Sequence, residues 1–329
     1  MKPTRIISLI CAAALLLSLA SCSQVSRSDS SGTTGETSQS TSAETTLATV
    51  TTTQDETATA YPLTIVDSFD NEAVISGEPL RIVSCAPAIT EMLFELGAGD
   101  KVVGRTDYCN YPLEVSDIES VGMIDVPSIE AIVALEPDLV IASSIFTEDS
   151  YKALTDLGIT VVIFHDEYDV DGVKNMISSI GEIINRNEAA LDLISRMTET
   201  IEGVQASVEG LEKPTVYFAM SFGEYGDYTS GGDTYVHQMI TTAGGDNIAS
   251  DLMGWSYSVE KLVEEDPDII IVNQYMLEDF LVTAPYSELS AVKNGRVYGI
   301  DADLIERQGF RNAEGIALLA ELFYPGLTA

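Results

Sequence analysis

The sequence has few basic residues, few cysteines, two histidines and a single tryptophan. Its 16 lysines and arginines stand against 52 aspartates and glutamates, which gives a formal net charge of −36. Because a chain this acidic repels phosphate groups, nucleic acids and anionic membrane surfaces are excluded as its main partners. The same charge disfavours a strongly anionic ligand.

The common catalytic motifs are also missing. The sequence contains no glycine-rich phosphate loop, no G-x-S-x-G elbow and no H-E-x-x-H motif. His165 and His237 do not have the spacing of metal ligands, and we expect a solvated strand end and a packed helix face, respectively. Nothing in the sequence activates Cys85 as a nucleophile. We therefore expect neither catalysis nor a metal site, and a surface hydrolase is the alternative of another class.

The N-terminus has the features of an export signal. Lys2 and Arg5 precede an apolar run from Ile6 to Leu19, so residues 1–21 are predicted to be a lipoprotein signal peptide. The signal ends L-A-S-C, which resembles a bacterial lipobox and predicts lipid attachment at Cys22. An ordinary signal with a chance cysteine is the alternative. Lipidation predicts a membrane-anchored location on the extracytoplasmic face.

Residues 22–60 are predicted to form a disordered tether. Twenty of the thirty-eight residues from Ser23 to Ala60 are serine or threonine, and they show no hydrophobic periodicity. Such a segment buries too little apolar area to offset the entropy lost on ordering. As a flexible coil it reaches roughly 35 Å, which holds a folded domain clear of the membrane.

A fourteen-residue stretch occurs twice in the chain. Ser128–Ile141 reads S-I-E-A-I-V-A-L-E-P-D-L-V-I, and Ser258–Ile271 reads S-V-E-K-L-V-E-E-D-P-D-I-I-I. Each copy predicts a serine-capped short helix, a proline that ends it, and a buried strand. A helix–strand unit repeated in the two halves indicates two similar lobes with a cleft between them.

Strands alternate with helices along both halves. Apolar runs such as residues 138–142 and 160–164 show no polar alternation, which is typical of parallel strands covered on both faces. The predicted fold class is therefore α/β, with two doubly wound lobes whose sheets are mainly parallel. The longest helical pattern, Glu188–Leu211, predicts one rigid helix between them. The predicted boundaries are 61–187 for the N-terminal lobe, 188–213 for the connecting helix and 214–329 for the C-terminal lobe.

Ligands of doubly wound sheets bind at the carboxyl ends of the strands. The loops predicted there are rich in aromatic residues, which suits a large flat ligand, although each aromatic alone is as well explained by packing beneath its loop. Cys85 and Cys109 either form a disulfide in an oxidising compartment or stay reduced. The candidate ligand residues are Cys85, Pro87, Tyr108, Phe222, Tyr228, Trp255, Asp303 and Arg307.

Glu130 and Glu260 lie in the first turns of the two repeated helices. An acidic residue there gains about 0.3–1 kcal/mol from the helix dipole, which explains each glutamate separately. A partner with paired basic sites would explain why both lobes carry one.

These residues resemble a known family, the helical-backbone (class III) solute-binding proteins of ABC importers, which serve vitamin B12, haem and ferric siderophores. The resemblance implies two α/β lobes joined by one long helix, a monomer, and an ABC permease with its ATPase as partners. It implies that Glu130 and Glu260 dock onto arginine clusters of the permease. The matching motifs are 81–91, 96–100, 103–104, 108–112, 128–130 with 137–138, 229–231, 244–247 and 258–260.

Within the family, the binders of vitamin B12 (cobalamin) are the most similar. Four residues fall at or within one residue of positions that contact the corrinoid in those proteins: Tyr108, Tyr228, Trp255 and Asp303. The resemblance thus implies cobalamin or a related corrinoid as a transported ligand, and no resident cofactor.

The chain also departs from the vitamin B12 binders. Ile124 and Ser143 stand where those proteins have tryptophan, and Leu304 rather than tryptophan follows Asp303. Haem or a ferric siderophore is therefore the alternative ligand. Three arginines are candidates to bind the acidic groups of such a ligand: Arg105, Arg307 and Arg311.

Overall fold

The computed structural model describes residues 58–327, which hold all of the predicted globular part except its last two residues. The predicted signal peptide, Cys22 and nearly all of the tether lie outside the described residues. Within residues 58–327, no helix has both the length and the apolar character that a membrane crossing requires.

A small hairpin precedes two parallel sheets. The antiparallel hairpin pairs β1 (Leu63–Val66) with β2 (Glu72–Ile75). The N-terminal lobe holds β3 (Ile82–Cys85), β4 (Val102–Arg105), β5 (Leu139–Ser143) and β6 (Thr160–Phe164). The C-terminal lobe holds β7 (Thr215–Ala219), β8 (Asp246–Asn247), β9 (Ile269–Asn273) and β10 (Val297–Ile300).

The two sheets share one topology. Their strand orders are β4-β3-β5-β6 and β10-β9-β7-β8, and all neighbouring strands within each sheet run parallel. If the strands of each lobe are numbered along the chain, the spatial order across both sheets is second, first, third, fourth. The order reverses between the first and third strands, which is where doubly wound folds bind ligands. The prediction of two similar doubly wound lobes is confirmed.

Helices cover both faces of the sheets. In the N-terminal lobe they are α1 (Pro87–Glu95), α2 (Ile129–Ala134), α3 (Glu148–Asp156) and α4 (Val170–Ile183). The connecting helix is α5 (Asn187–Val208). In the C-terminal lobe they are α6 (Tyr235–Thr242), α7 (Val259–Glu265), α8 (Leu277–Val282), α9 (Ser290–Lys293), α10 (Asp303–Glu306) and α11 (Asn312–Phe323). Short 3-10 helices span Gly99–Lys101, Leu113–Asp117, Gly223–Tyr225 and Tyr286–Glu288.

The connecting helix is one unbroken element of 22 residues. At 1.5 Å per residue it extends about 33 Å. Its apolar residues recur at three- and four-residue steps and are buried: Ala190, Leu193, Met197, Ile201 and Val204. This stripe packs into a core that includes strand residues of both lobes, for example Ile82 and Ile269. The lobes are therefore joined by one continuous packed helix.

Side-chain alternation along the strands gives each sheet two buried faces. In the N-terminal lobe, Ile82 and Leu139 face the core shared with α5, while Val83 and Val140 face a second cluster. The C-terminal lobe repeats the arrangement, with a separate cluster on its outer face. Since successive strand residues point to opposite faces, strands buried on both sides must be apolar throughout. This burial accounts for the uninterrupted apolar runs in the sequence.

The start of the described chain is fastened to the junction of α4 and α5. The Thr59 backbone N–H donates to Asn185 Oδ1 at 2.8 Å, and its hydroxyl donates to the Glu182 carbonyl oxygen at 2.8 Å. Asn187 Nδ2 donates to the Thr59 hydroxyl at 2.9 Å. Glu78 completes the junction by accepting from the Asn185 amide at 3.0 Å. The folded chain thus begins at the foot of the connecting helix.

Candidate functional site

Two adjoining cavities lie between the lobes. The larger has a volume of about 380 Å³ and the smaller about 140 Å³. Asp166, Glu306 and Gln308 line both, so the cavities form one cleft. Its walls come from the loops that follow β6 in the N-terminal lobe and β10 in the C-terminal lobe. These are carboxyl ends of parallel strands, where the sequence predicts the ligand.

The N-terminal wall of the smaller cavity includes small and medium apolar side chains, beside Phe164, His165 and Asp166. Pro87 begins α1 and lines the smaller cavity, as the sequence analysis predicts for a ligand residue. Ile124 and Ser143 line the same cavity. These are the two positions where the vitamin B12 binders have tryptophan. The wall therefore offers a shallower apolar surface than two indole rings would provide.

The C-terminal wall presents the predicted aromatic pair. Tyr228 and Trp255 are both exposed, and Trp255 lines the larger cavity. The Thr229 N–H donates to the Trp255 carbonyl oxygen at 2.7 Å, which fixes the two loops against each other. Gly232 makes this packing possible, because a Cβ there would collide with the Ser250 carbonyl oxygen. The structure thus pairs the loops that carry Tyr228 and Trp255, although Tyr228 itself is not among the residues that line the two cavities.

Tyr108 lies on the N-terminal loop that meets the C-terminal lobe. Its side chain is exposed, with the hydroxyl 3.6 Å from the Met123 sulfur. Its backbone carbonyl accepts a hydrogen bond from Arg307 Nη2 at 3.1 Å. Tyr108 is therefore placed at the interlobe contact, although it is not among the residues that line the two cavities.

Carboxylates dominate the larger cavity. Asp166, Glu167, Asp233 and Glu306 line it, and the described lining residues include no lysine or arginine. Burial raises the pKa of the Glu167 carboxyl, and burial followed by the nearby Asp303 charge raises the pKa of Glu306. Both shifts show carboxyl groups held where negative charge is unfavourable. An anionic ligand would increase that repulsion.

The arginines near the cleft are paired with protein groups. Arg307 Nη1 donates to Glu91 Oε1 at 2.8 Å and to Asn110 Oδ1 at 2.6 Å, while Nη2 lies 3.0 Å from Asp303 Oδ2. Arg311 lies 3.3 Å from Glu91 and 3.6 Å from Asp301.

Two of the predicted ligand residues therefore meet each other in an ion pair, because Asp303 is a partner of Arg307. Arg105, the remaining candidate for an acidic ligand, is not among the residues that line either cavity. Arg307 does line the smaller cavity, where its guanidinium is already paired with Glu91 and Asp303.

Cys85 and Phe222 are placed differently from the expectation. The Cys85 side chain is fully buried, and burial raises the pKa of its thiol to about 12. Cys85 and Cys109 are both unpaired and buried. Phe222 packs its ring edge-on against Phe280 and Tyr286, with centroids 5.0 and 5.1 Å away. In this structure both side chains serve the packing of their own lobes.

The histidines have separate surroundings. His165 follows β6, lines the smaller cavity and places Nδ1 3.7 Å from Glu167. His237 lies on α6, with Nδ1 3.2 Å from the Asn247 amide. Residues 58–327 contain no cluster of three or more histidine, cysteine, aspartate or glutamate side chains arranged to hold a metal ion.

Several cleft residues are not among the individually named ligand candidates. Gln308 is the clearest, because its side-chain oxygen accepts from the Glu167 N–H at 2.5 Å and its amide donates to the Glu167 carbonyl at 3.0 Å. The two residues are 141 positions apart in sequence. No local pattern marks such a pair. The acidic lining residues and Met220 are not among them for the same reason.

The two repeated glutamates are exposed at the start of matching helices. Ser128 caps α2 by accepting from the Ala131 N–H at 3.2 Å, and Ser258 caps α7 by accepting from the Lys261 N–H at 3.3 Å. The Ser258 hydroxyl also donates to Glu260 at 2.6 Å, which lowers the pKa of that carboxyl. The predicted serine caps are confirmed, and Glu130 and Glu260 are presented in equivalent places on the two lobes.

Known proteins are similar to this chain in sequence. Residues 82–304 match the family described as Periplasmic binding protein. The chain is 35% identical over 273 residues to the ABC transporter substrate-binding lipoprotein YvrC of Bacillus subtilis (strain 168), covering 80% of this chain and 86% of that protein. It is 29% identical over 285 residues to a cobalamin-binding protein of Halobacterium salinarum, covering 82% of this chain and 76% of that protein.

A solved structure of similar fold is the periplasmic haem-binding protein RhuT from Roseiflexus sp. RS-1. The two structures superimpose with a TM-score of 0.69 at 25% sequence identity. The match covers 75% of this chain and 99% of the RhuT chain. The two-lobed α/β architecture is therefore shared with solute-binding proteins. The chain belongs to the periplasmic binding protein family.

Proposed function

We propose that this protein is a lipid-anchored solute-binding protein of an ABC importer, which captures cobalamin or a related corrinoid in its interlobe cleft. The bound corrinoid is delivered to the permease, whose ATPase drives uptake. Cys22 carries the lipid, and the protein works on the extracytoplasmic face of the cell membrane. No chemical step is required of the chain, and its relatives named above are binding proteins rather than enzymes.

The charge of the cleft is the observation that favours a corrinoid over haem or a siderophore. Four carboxylates line the larger cavity, and Arg307, which lines the smaller one, is paired with Glu91 and Asp303. A corrinoid presents amide side chains, which donate hydrogen bonds to carboxylates. Haem presents propionates, and many siderophores present carboxylates or catecholates. Because like charges brought together in a desolvated site repel strongly, the cleft favours the amide-rich ligand.

The aromatic wall supports the same ligand. Trp255 is exposed and lines the larger cavity, Tyr228 is exposed on the neighbouring loop, and Pro87 lines the smaller cavity on the other lobe. A broad macrocycle gains most from burying apolar area against such side chains. The cobalamin-binding relative from Halobacterium salinarum is consistent with this choice.

The test is a titration of the protein with cobinamide, cyanocobalamin, haem and a ferric siderophore, followed by fluorescence. Trp255 is the only tryptophan, so the signal reports on the cleft directly. We expect both corrinoids to quench it at stoichiometric ratio and the anionic compounds to have no effect. A Trp255→Phe variant, measured by calorimetry, separates loss of signal from loss of binding. If neither corrinoid binds and another compound binds tightly, the corrinoid proposal is wrong.

Haem is the second candidate, favoured by the similarity to the haem-binding RhuT structure and by the exposed hydroxyl of Tyr108. A haem receptor needs an axial ligand to the iron, and side chains of that chemistry are Tyr108 at the interlobe contact and His165 in the smaller cavity. A Soret band that shifts when haem binds, and whose shift is lost in Tyr108→Phe or His165→Ala, would establish haem as the ligand; His237→Ala, outside both cavities, is the control.

A further inference from the structure

A buried glutamate of one lobe is held by two arginines of the other. Glu91 lies on α1 and is only 4% exposed. Its Oε1 accepts from Arg307 Nη1 at 2.8 Å and from Arg311 Nη1 at 3.3 Å. Both arginines follow β10 in the C-terminal lobe. This ion pair therefore connects the two lobes beside the cleft.

Further contacts surround this ion pair. Asn110 Nδ2 donates to Asp303 Oδ2 at 3.1 Å, and Asn110 Oδ1 accepts from Arg307. The Arg311 guanidinium stacks over the Tyr111 ring with its central carbon 4.2 Å from the ring centroid. We refer to Glu91, Asn110, Asp303, Arg307 and Arg311 as the interlobe latch.

Each side of the interlobe latch is fixed to its own lobe. On the N-terminal side, the Thr90 hydroxyl donates to Ser84 Oγ at 2.8 Å and lies 3.1 Å from the Cys109 sulfur, which ties the 105–112 loop to α1. On the C-terminal side, Asn312 Nδ2 donates to the Arg307 carbonyl oxygen at 2.8 Å. A displacement of either lobe therefore pulls directly on the ion pair.

The energetics oppose separation of the two lobes. Opening the cleft would break the hydrogen bonds from Arg307 and Arg311 to Glu91 and leave all three groups to water. Hydrogen bonds between charged groups are among the stronger ones in proteins, so their loss opposes opening. The interlobe latch consequently favours the closely apposed lobes before any ligand is present.

We propose that Glu91 is a positioning residue of the ligand site, which acts through Arg307 and Arg311 to hold the cleft in its binding geometry without ligand. The interlobe latch fixes the loop that carries Tyr108 against the lobe that carries Trp255. A preformed cleft loses little freedom on binding, so the ligand dissociates slowly. This role rests on the proposed function of the cleft as the solute site.

The first test needs no ligand. Hydrogen exchange of the full-length protein is compared between wild type, Glu91→Gln and Glu95→Gln. Glu95 is the matched control, because it lies one turn further along α1 and forms an ion pair outside the cleft. Its Oε1 lies 2.8 Å from Arg196 Nη2. We expect amides of residues 105–112 and 301–311 to exchange about tenfold faster in Glu91→Gln, as loss of a buried charged hydrogen bond implies. Strand β9 reports that the variant is folded.

Arg311→Gln provides a second variant at the edge of the interlobe latch. It should raise exchange in the same two segments, and combining it with Glu91→Gln should add little. Wild-type exchange in both segments of Glu91→Gln, or an equal response in Glu95→Gln, would overturn the proposal.

The second test measures kinetics with cobinamide by stopped flow. Glu91→Gln should release cobinamide about tenfold faster, within the usual range of coupling between sites, with an association rate close to that of wild type. Faster exchange with an unchanged dissociation rate would overturn the positioning role. If wild type fails to bind cobinamide and cyanocobalamin, the corrinoid proposal falls, and the exchange experiment still decides whether Glu91 holds the lobes together.

Discussion

Single carboxylates in this acidic chain have different roles according to their neighbours. Glu78 receives hydrogen bonds from Lys101 and Asn185 at the start of the folded chain. Glu91 is buried between lobes, and Glu260 is exposed on a capped helix. The net charge predicts the overall repulsion of anions, but the role of each carboxylate depends on partners that are distant in sequence.

Glu78 predicts a specific acid sensitivity. The hydrogen bond from Lys101, followed by that from Asn185, lowers the pKa of its carboxyl below the ordinary value of 4.5. Because the folded-state pKa is the lower one, the stabilisation is present above pH 4.5 and disappears as pH falls through the folded-state pKa. Glu78→Gln should reduce the free energy of unfolding at pH 7 by about 1 kcal/mol.

The measurement is urea unfolding of wild type and Glu78→Gln between pH 7 and pH 3. The difference in unfolding free energy should shrink towards the acid end. Glu72→Gln, at an exposed strand position, is the control and should change little. A difference that grows on acidification would contradict the assigned sign.

The burial of Cys85 predicts that its thiol is unreactive. Burial raises its pKa to about 12, so the thiolate is scarce at pH 8, and the side chain is inaccessible. The thiolate is the reactive form. Iodoacetamide should therefore leave Cys85 unmodified in the native protein and modify it after unfolding, as peptide mass spectrometry can measure. Rapid native-state alkylation would show that Cys85 reaches the cleft surface, as the sequence analysis expected.

Among the elements, α2 and α7 show the repeat most clearly. Residues 122–134 and 252–264 have the same succession of buried, half-buried and exposed positions. Val133 and Val263 lie one turn after Glu130 and Glu260 and are 40% and 46% exposed. Residues three apart lie on the same helix face. Each lobe thus presents a carboxylate beside an apolar side chain.

The glutamates are predicted to dock the protein onto its permease. Replacing both Glu130 and Glu260 by lysine should prevent corrinoid uptake by cells while ligand binding to the purified protein is unchanged. The reason is repulsion between the new lysines and basic sites of the permease. Glu136→Lys with Glu265→Lys is the control, since it changes the net charge equally at other exposed positions. Full uptake by the first variant would remove the docking role.

The two valines extend this prediction to apolar contact. Val133→Asp with Val263→Asp should weaken binding to the permease in detergent or nanodiscs by roughly tenfold or more, because apolar area at the interface would be replaced by charge. Affinity for corrinoid should be unaffected. If the permease binds both forms equally, the interface does not include this helix face.

The local elements were largely predictable from sequence, because caps, prolines and apolar periodicity act over a few residues. Thr160–Phe164 was predicted with its observed bounds, and α5 differs from Glu188–Leu211 by a few residues at each end. The short α8 lacks a long periodic pattern and was missed. Which side chains line the cleft was harder to predict, because Glu306 and Gln308 reach it only through the packing of two lobes.

At the scale of the whole molecule, the connecting helix and the interlobe latch restrict motion. A hinge needs residues that absorb a large backbone change, and α5 is continuous over 22 residues. Adding cobinamide should therefore change the radius of gyration measured by X-ray scattering by less than about 1 Å, as for other preorganised binding proteins. The radius of gyration of the Glu91→Gln variant should change more than that of wild type when cobinamide is added. A pronounced compaction of wild type on binding would contradict a preformed cleft.

The fastening of Thr59 at the foot of α5 has a mechanical consequence. Any pull applied through the residues before it is delivered to Asn185, Glu182 and Asn187, at the junction of α4 and α5. None of these residues is among those that line the two cavities. Tension along the leading segment would therefore act on the N-terminal lobe at a place apart from the cleft, and a bound ligand would stay in place.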